Sequence, residues 1–150
     1  MLATHETLIL KQSIRAALPR VWNAFADVDQ RAAWGVPAGE AQIYDVADFR
    51  VGGREQYKCG PPGNLEFYGF VDYAHIIPQS IIVHSDTVTA GGKTLATALL
   101  TWEFESDGEY TKIQLTDQVT SLVGIGMING HRNGHTKALD QLRELLEKPA

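Results

Sequence analysis

A chain of 150 residues, 44% apolar and 21% charged, suits one globular domain spanning residues 1–150. Such a domain buries roughly 70% of its unfolded surface without metal or disulfide staples. The formal charge of −5, with no basic stripe, argues against a nucleic-acid partner. Cys59 is the single cysteine, and Met1 to Lys11 lacks a basic lead and a long apolar run, so the expectation is a cytoplasmic chain with no signal peptide and no membrane insertion.

The first element is expected as a strand over residues 7–17, where Leu8, Leu10, Ile14 and Ala16 share one parity. Pro19 can open a helix, since its missing N–H is unneeded in the first turn, and Val21, Trp22, Ala24 and Phe25 give that helix an apolar face. A second short helix is expected over residues 29–34, with Asp29 as N-cap and Gly35 and Pro37 ending it.

From residue 41 the period switches to two. Glycine turn signals at 52–53, 60–63, 91–92 and 107–108 divide the chain into strand-like runs at 42–50, 54–59, 64–77, 80–89, 94–105 and 109–120. Tight turns make neighbouring strands antiparallel. Gly69, in the middle of the longest early run, is expected to mark a bend or bulge. Parity places Ile113, Leu115, Asp117 and Val119 on the inner face of the last strand, and Ala98, Leu100, Trp102 and Phe104 on that of the strand before it. Leu65, Phe67, Val71 and Tyr73 are expected inward, with His75 following in register, as are Tyr57 and Cys59. The run 80–89 has no readable parity.

Residues 121–130 read as an apolar, glycine-rich connection, and residues 131–147 as the closing helix. His131, His135, Ala138, Leu142 and Leu145 step by four, three, four and three, and Leu139 and Leu146 widen the stripe. Its C-terminal half is aliphatic. Its N-terminal half carries two imidazoles, as a cavity between helix and sheet would need.

The joints of this pattern resemble one family. Pro19-x-Val21-Trp22 is similar to its opening motif, Phe49-x-Val51-x-Gly53 to its Gly-Gly turn, and Gly69-x-Val71 with Pro78 to its central element. Trp34, Thr111-x-Ile113-x-Leu115 and Gly134-His135-x3-Leu139-x-x-Leu142 resemble its later landmarks. The family is the SRPBCC (START/birch-pollen-allergen/polyketide-cyclase) superfamily, in the branch related to the activator of heat shock protein 90 ATPase. The resemblance implies an α+β helix-grip fold: a curved antiparallel sheet of about seven strands around a long C-terminal helix, with two short helices after the first strand. One departure matters. The family's tryptophan in the final helix is His135 here.

Three functions are in view. The first is binding of a small lipophilic or aromatic molecule in the cavity, lined by Trp34, Tyr57, Phe67, Tyr73 and Trp102, with Asp117, His131 and His135 orienting its polar end. The second, implied by the resemblance, is regulation of a heat-shock chaperone's ATPase. The third is a cyclase- or hydrolase-like activity, with Asp117 and His135 as an acid–imidazole pair. Cys59 is a poor nucleophile candidate, because only Lys58 beside it would lower its pKa. His131 and His135 have the i, i+4 spacing of helical metal ligands, with Asp117 as a third. Arg132 stands where a His-Glu-x-x-His motif carries its glutamate, so the sequence reading assigns no metal and no cofactor.

Overall fold

The computed structural model describes residues 2–148. Strand β1 (Thr4–Ile14) leads into helices α1 (Leu18–Ala26) and α2 (Val28–Trp34). Six strands follow: β2 (Ala41–Val46), β3 (Arg54–Gly60), β4 (Phe67–Ile77), β5 (Ile81–Ala90), β6 (Lys93–Asp107) and β7 (Tyr110–Ser121). Helix α3 (Ile125–Glu147) closes the described chain. The seven strands form one antiparallel sheet in the order β1-β7-β6-β5-β4-β3-β2. This is the helix-grip arrangement: an antiparallel sheet whose inner face packs on the C-terminal helix. No described helix is long and apolar enough to cross a membrane.

The alternation in β6 and β7 is the clearest link from sequence to fold. Ala98, Leu100, Trp102 and Phe104 are buried on β6, and Ile113, Leu115, Asp117 and Val119 on β7. Helix α3 meets them with Ile128, Ala138, Leu139, Leu142 and Leu146. Leu145 is 37% exposed, so the buried stripe is centred one position away from the expected one. Two side chains fix the helix on its neighbours: Gln12 donates to Asp140 across from β1, and Gln141 donates to the carbonyls of Trp34 and Val36 at the end of α2.

Several expected boundaries move, each for a local reason. β1 ends at Ile14, and β2 stops at Val46 after a register shift, leaving Phe49 to Gly53 as a turn. Asp27, not Asp29, caps α2: its carboxylate accepts from the N–H groups of Asp29 and Gln30 at 2.9 and 3.2 Å. The same residue ends α1 by donating its N–H to the Asn23 carbonyl, so the two helices join without a linker. Gly69 pairs in regular register with Tyr57, and the irregularity in β4 lies between Tyr73 and His75. That extra residue reverses the parity, so His75 is exposed rather than inward. Gly69 is required for another reason: a Cβ there would collide with the Tyr57 ring lying across it.

The largest shift is in α3, which begins at Ile125, six residues before the expected start. Glycine disfavours a helix interior by about 1 kcal/mol relative to alanine, and Gly126 and Gly130 both lie in these added first turns. Burial of Ile128, with 1% exposure, overrides that preference. Ser121 supports the start by donating to the Gly124 carbonyl and accepting from the Val123 N–H. Beyond its chain neighbours and its own helix backbone, no atom lies within 4 Å of where a Gly130 Cβ would sit. Gly130→Ala is therefore expected to stabilise the fold by roughly 0.5–1 kcal/mol in urea unfolding.

Candidate functional site

The space between the sheet, α2 and α3 holds a cavity of about 180 Å3. Its apolar wall comes from Phe25 on α1, Trp34 on α2, and Val71, Ile82, Leu100 and Trp102 on the sheet. Phe25 is the hub of this wall, with ring centroids 4.7 Å from Trp34, 5.1 Å from Trp102 and 4.9 Å from Phe104. The contacts are tilted or edge-on, the geometry aromatic quadrupoles prefer. Trp34 is held by its indole N–H to the Ala24 carbonyl at 2.9 Å.

The opposite wall is polar and built around a buried ion pair. Arg31, on α2, donates to Glu55 Oε2 at 2.8 Å, to the Tyr73 hydroxyl and the Tyr44 hydroxyl at 3.1 Å each, and to the Phe25 carbonyl at 2.9 Å. Tyr73 in turn donates to Glu55 Oε1 at 2.7 Å, and the Asp48 N–H donates to Oε2. Burial works against the Arg31 charge, but its acidic and phenolic neighbours outweigh that and raise its pKa. Burial also pushes the Tyr44 and Tyr73 hydroxyls up, so both stay protonated.

Strand β5, whose parity was unreadable, supplies His84 and Asp86 to the same cavity. His84 accepts from the Trp102 indole at 3.0 Å and donates through Nδ1 to the Ser85 carbonyl at 3.1 Å. Burial lowers its pKa to about 4, so it is a neutral, fully bonded ring. Asp86 faces the Tyr57 hydroxyl, 3.0 Å from each carboxylate oxygen. Burial pushes Asp86 up to about 7, against the Tyr57 hydrogen bond that favours its charge. It is thus a cavity-wall acid able to trade a proton near neutral pH. Gln42 completes the wall: it donates to the Tyr44 hydroxyl at 3.3 Å, while its Oε1 is buried with no partner. Turning the amide over would pair the oxygen with Tyr44 and leave the nitrogen unpaired instead.

Of the residues singled out in the sequence, Trp34, Tyr57, Tyr73, Trp102 and His135 line this cavity. Phe67 does not; it lies at the far end of β4, paired with Cys59 and Ala90. Asp117 and His131 also lie off the cavity wall, in a cluster that touches it through His135. Asp117 Oδ2 is 2.7 Å from His131 Nδ1 and 3.0 Å from His135 Nε2. Burial would raise the Asp117 pKa, but the two imidazole hydrogen bonds outweigh it and hold the carboxyl at about 2. Burial works against the His131 charge too, and is outweighed by Asp117, which raises the pKa of that ring. Asp117 therefore stays ionised and serves as an acceptor, not as a proton donor. Among the described residues these three form the one cluster of His, Cys, Asp or Glu whose ligand atoms lie close enough to share a metal, all within 4.8 Å. Burial pushes the Cys59 thiol up to about 11, leaving almost no thiolate near neutral pH.

Sequence reasoning missed Arg31, Gln42, Tyr44, Glu55, His84 and Asp86. One signal was available: Glu55 shares the inward parity of Tyr57 and Cys59, so an acid stood on an apolar face.

An inward-facing sheet gripping a terminal helix over a walled cavity defines the helix-grip class. Residues 15–147 match the family described as "Activator of Hsp90 ATPase homolog 1-like protein", and the chain belongs to that family. An uncharacterized protein from Rhizobium leguminosarum is similar at 28% identity and a TM-score of 0.89, over 99% of this chain and 98% of that one. The Mll3558 protein from Rhizobium loti is similar at 26% identity and a TM-score of 0.85, over 96% and 99% of the two chains. Protein CV1439 from Chromobacterium violaceum, at 21% identity and a TM-score of 0.84 over 95% and 98%, shares the fold. A comparison with curated proteins returns no match.

The half-buried acid Asp86 gives a pH test. An unfolded aspartate ionises near 3.8, whereas folded Asp86 ionises at about 7. Between those values the folded chain holds a proton that the unfolded chain has released. The Asp86 contribution therefore destabilises progressively as pH rises through this window and levels off above it. His84 acts in the opposite sense, costing stability as pH falls from 6.5 through about 4, and does so equally in a chain altered only at residue 86. Asp86→Asn should gain stability over the wild type across the window, reaching on the order of a few kcal/mol by about pH 8 and vanishing near pH 4 in paired urea titrations.

Proposed function

We propose that the protein binds a small single-ring aromatic molecule carrying a polar group, held between α2, α3 and the sheet. The observation that carries this reading is the cavity's size together with its split lining. A cavity of about 150 Å3 lined by aliphatic and aromatic side chains accepts benzene, and the space here is about 180 Å3. That volume suits one substituted ring and is too small for a long acyl chain, which narrows the lipophilic class expected from the sequence. Apolar burial against Phe25, Trp34 and Trp102 would contribute about 25 cal/mol per Å2 removed from water. Gln42, with an unpaired buried amide atom, and the Tyr57–Asp86 pair would orient the polar substituent.

A catalytic version of this reading would draw on Asp86, the cavity-wall group that ionises near neutrality, rather than on Asp117, whose carboxyl is held at about 2 by its imidazole partners. Regulation of a heat-shock chaperone's ATPase rests on the family's name alone and is not advanced.

The experiment is titration with an environment-sensitive hydrophobic dye, followed by displacement with phenols, aromatic acids and fatty acids. Substituted single rings are expected to displace the dye, and long acyl chains are not. Ala138, buried on α3 at the cavity wall, provides the control. Ala138→Phe should fill the space, cost about 1–3 kcal/mol of stability and abolish displacement while the fold remains cooperative. Unaltered ring binding in that variant would place the ligand elsewhere.

A further inference from the structure

The Asp117 cluster has a geometry that orienting hydrogen bonds alone do not call for. Asp117 has no exposed surface and is flanked in the sheet by Leu8 on β1 and Leu100 on β6. Both imidazoles converge on its Oδ2, while Oδ1 is buried with no partner. One oxygen with two lone pairs is enough to hold both rings, so Oδ1 has no part in holding them. Here two nitrogens and one carboxylate group converge on one small volume, leaving a further acceptor lone pair unspent. His131 and His135 come from one face of α3 at i, i+4, so the helix fixes their separation, and β7 fixes the acid opposite them. Their side chains are 12% and 22% exposed, so the cluster is shielded from water on most sides.

We propose that Asp117, His131 and His135 bind a divalent first-row transition-metal ion beside the cavity. Two imidazoles and one carboxylate are the donor set of open three-ligand sites for zinc or ferrous iron, whereas calcium and magnesium take oxygen ligands throughout. Ligands about 2.0–2.2 Å from such an ion stand roughly 3.3 Å apart in tetrahedral geometry. The Asp117 contacts at 2.7 and 3.0 Å need to open by a few tenths of an ångström, and the two imidazole nitrogens, which lie within 4.8 Å of each other, need to settle at the same spacing by side-chain rotation. Because His135 also forms part of the cavity wall, the ion would lie next to whatever occupies the cavity. The inference stands without the aromatic-ligand reading, since its test uses the metal alone.

The test uses the full chain, stripped with chelator and titrated with Zn2+ and Co2+. One equivalent is expected to bind. Among the five histidines, Zn2+ should move the imidazole resonances of His131 and His135 and leave those of His5, His75 and His84 in place. Co2+ should give the visible ligand-field absorption of a low-symmetry, histidine-ligated site. His131→Gln and His135→Gln should each weaken Zn2+ binding by more than the ~10–100-fold that loss of an outer-sphere partner costs. If Zn2+ shifts no imidazole, or only those of His5 and His75, the cluster is a hydrogen-bonded triad and the proposal is overturned. The resonance assignment needs no variant, so a substitution that impairs folding does not obscure the answer.

Discussion

The Arg31–Glu55 ion pair is the constraint on which the cavity depends. The Arg31 side chain is 11% exposed and that of Glu55 1%, so both charges are withdrawn from water and each is tolerable only with the other present. The guanidinium makes bonds to four partners: a carboxylate, two tyrosines and a backbone carbonyl. Through them it fastens α2 to β2, β3 and β4 beside the space that Trp34 helps to wall. Breaking a buried pair of this kind costs about 3–5 kcal/mol, because the surviving charge is left without a partner. Aromatic faces add to its hold, with the guanidinium 4.9 Å from the Tyr44 ring centroid and 5.8 Å from that of Phe49.

Around this knot the interior divides by chemistry. Phe25, Trp34, Trp102 and Phe104 pack as one aromatic body, and the polar side chains gather on the β2–β5 side of the cavity. The polar groups there are nearly all satisfied by one another. Trp102 joins the two halves: its ring packs edge-on to Phe25 while its N–H ends on His84. Such a framework is preorganised, since few of its side chains must find new partners when a ligand enters. His135 is where the framework meets the Asp117 cluster. Its imidazole packs edge-on to Trp102 and brings a nitrogen to 3.0 Å from Asp117 Oδ2.

Some of this was written in the sequence and some was not, and the division follows from physics. Strands β6 and β7 were legible residue by residue because one face of each is buried, and burial imposes a strict period of two on side-chain polarity. Of the residues that carry the family resemblance, Pro19, Trp34 and Phe49 to Gly53 sit at element joints, where turn and cap geometry restricts what the chain can carry. The same reasoning brought Asp117 to the inner face and His131 and His135 to one helix face, which is enough to place the three opposite one another. What it did not supply was their distances, or the unpaired oxygen.

Tertiary structure decided the rest. Arg31 looks like an ordinary solvent-facing residue of a short helix, because its partner Glu55 lies 24 positions away and hydrophobic periodicity carries no sign of it. His84 and Asp86 escaped notice because β5 is half-buried along most of its length and shows no clean alternation. His75 turned outward because a single extra residue after Tyr73 reversed the parity, and a bulge of that kind is set by cross-strand pairing. Helix α3 gained its first turns because Ile128 found a buried site, which outweighs the local preference of its glycines. Polarity patterns record which side of an element meets the core. They do not record which polar groups the fold will pair across it, and in this protein those pairings shape the site.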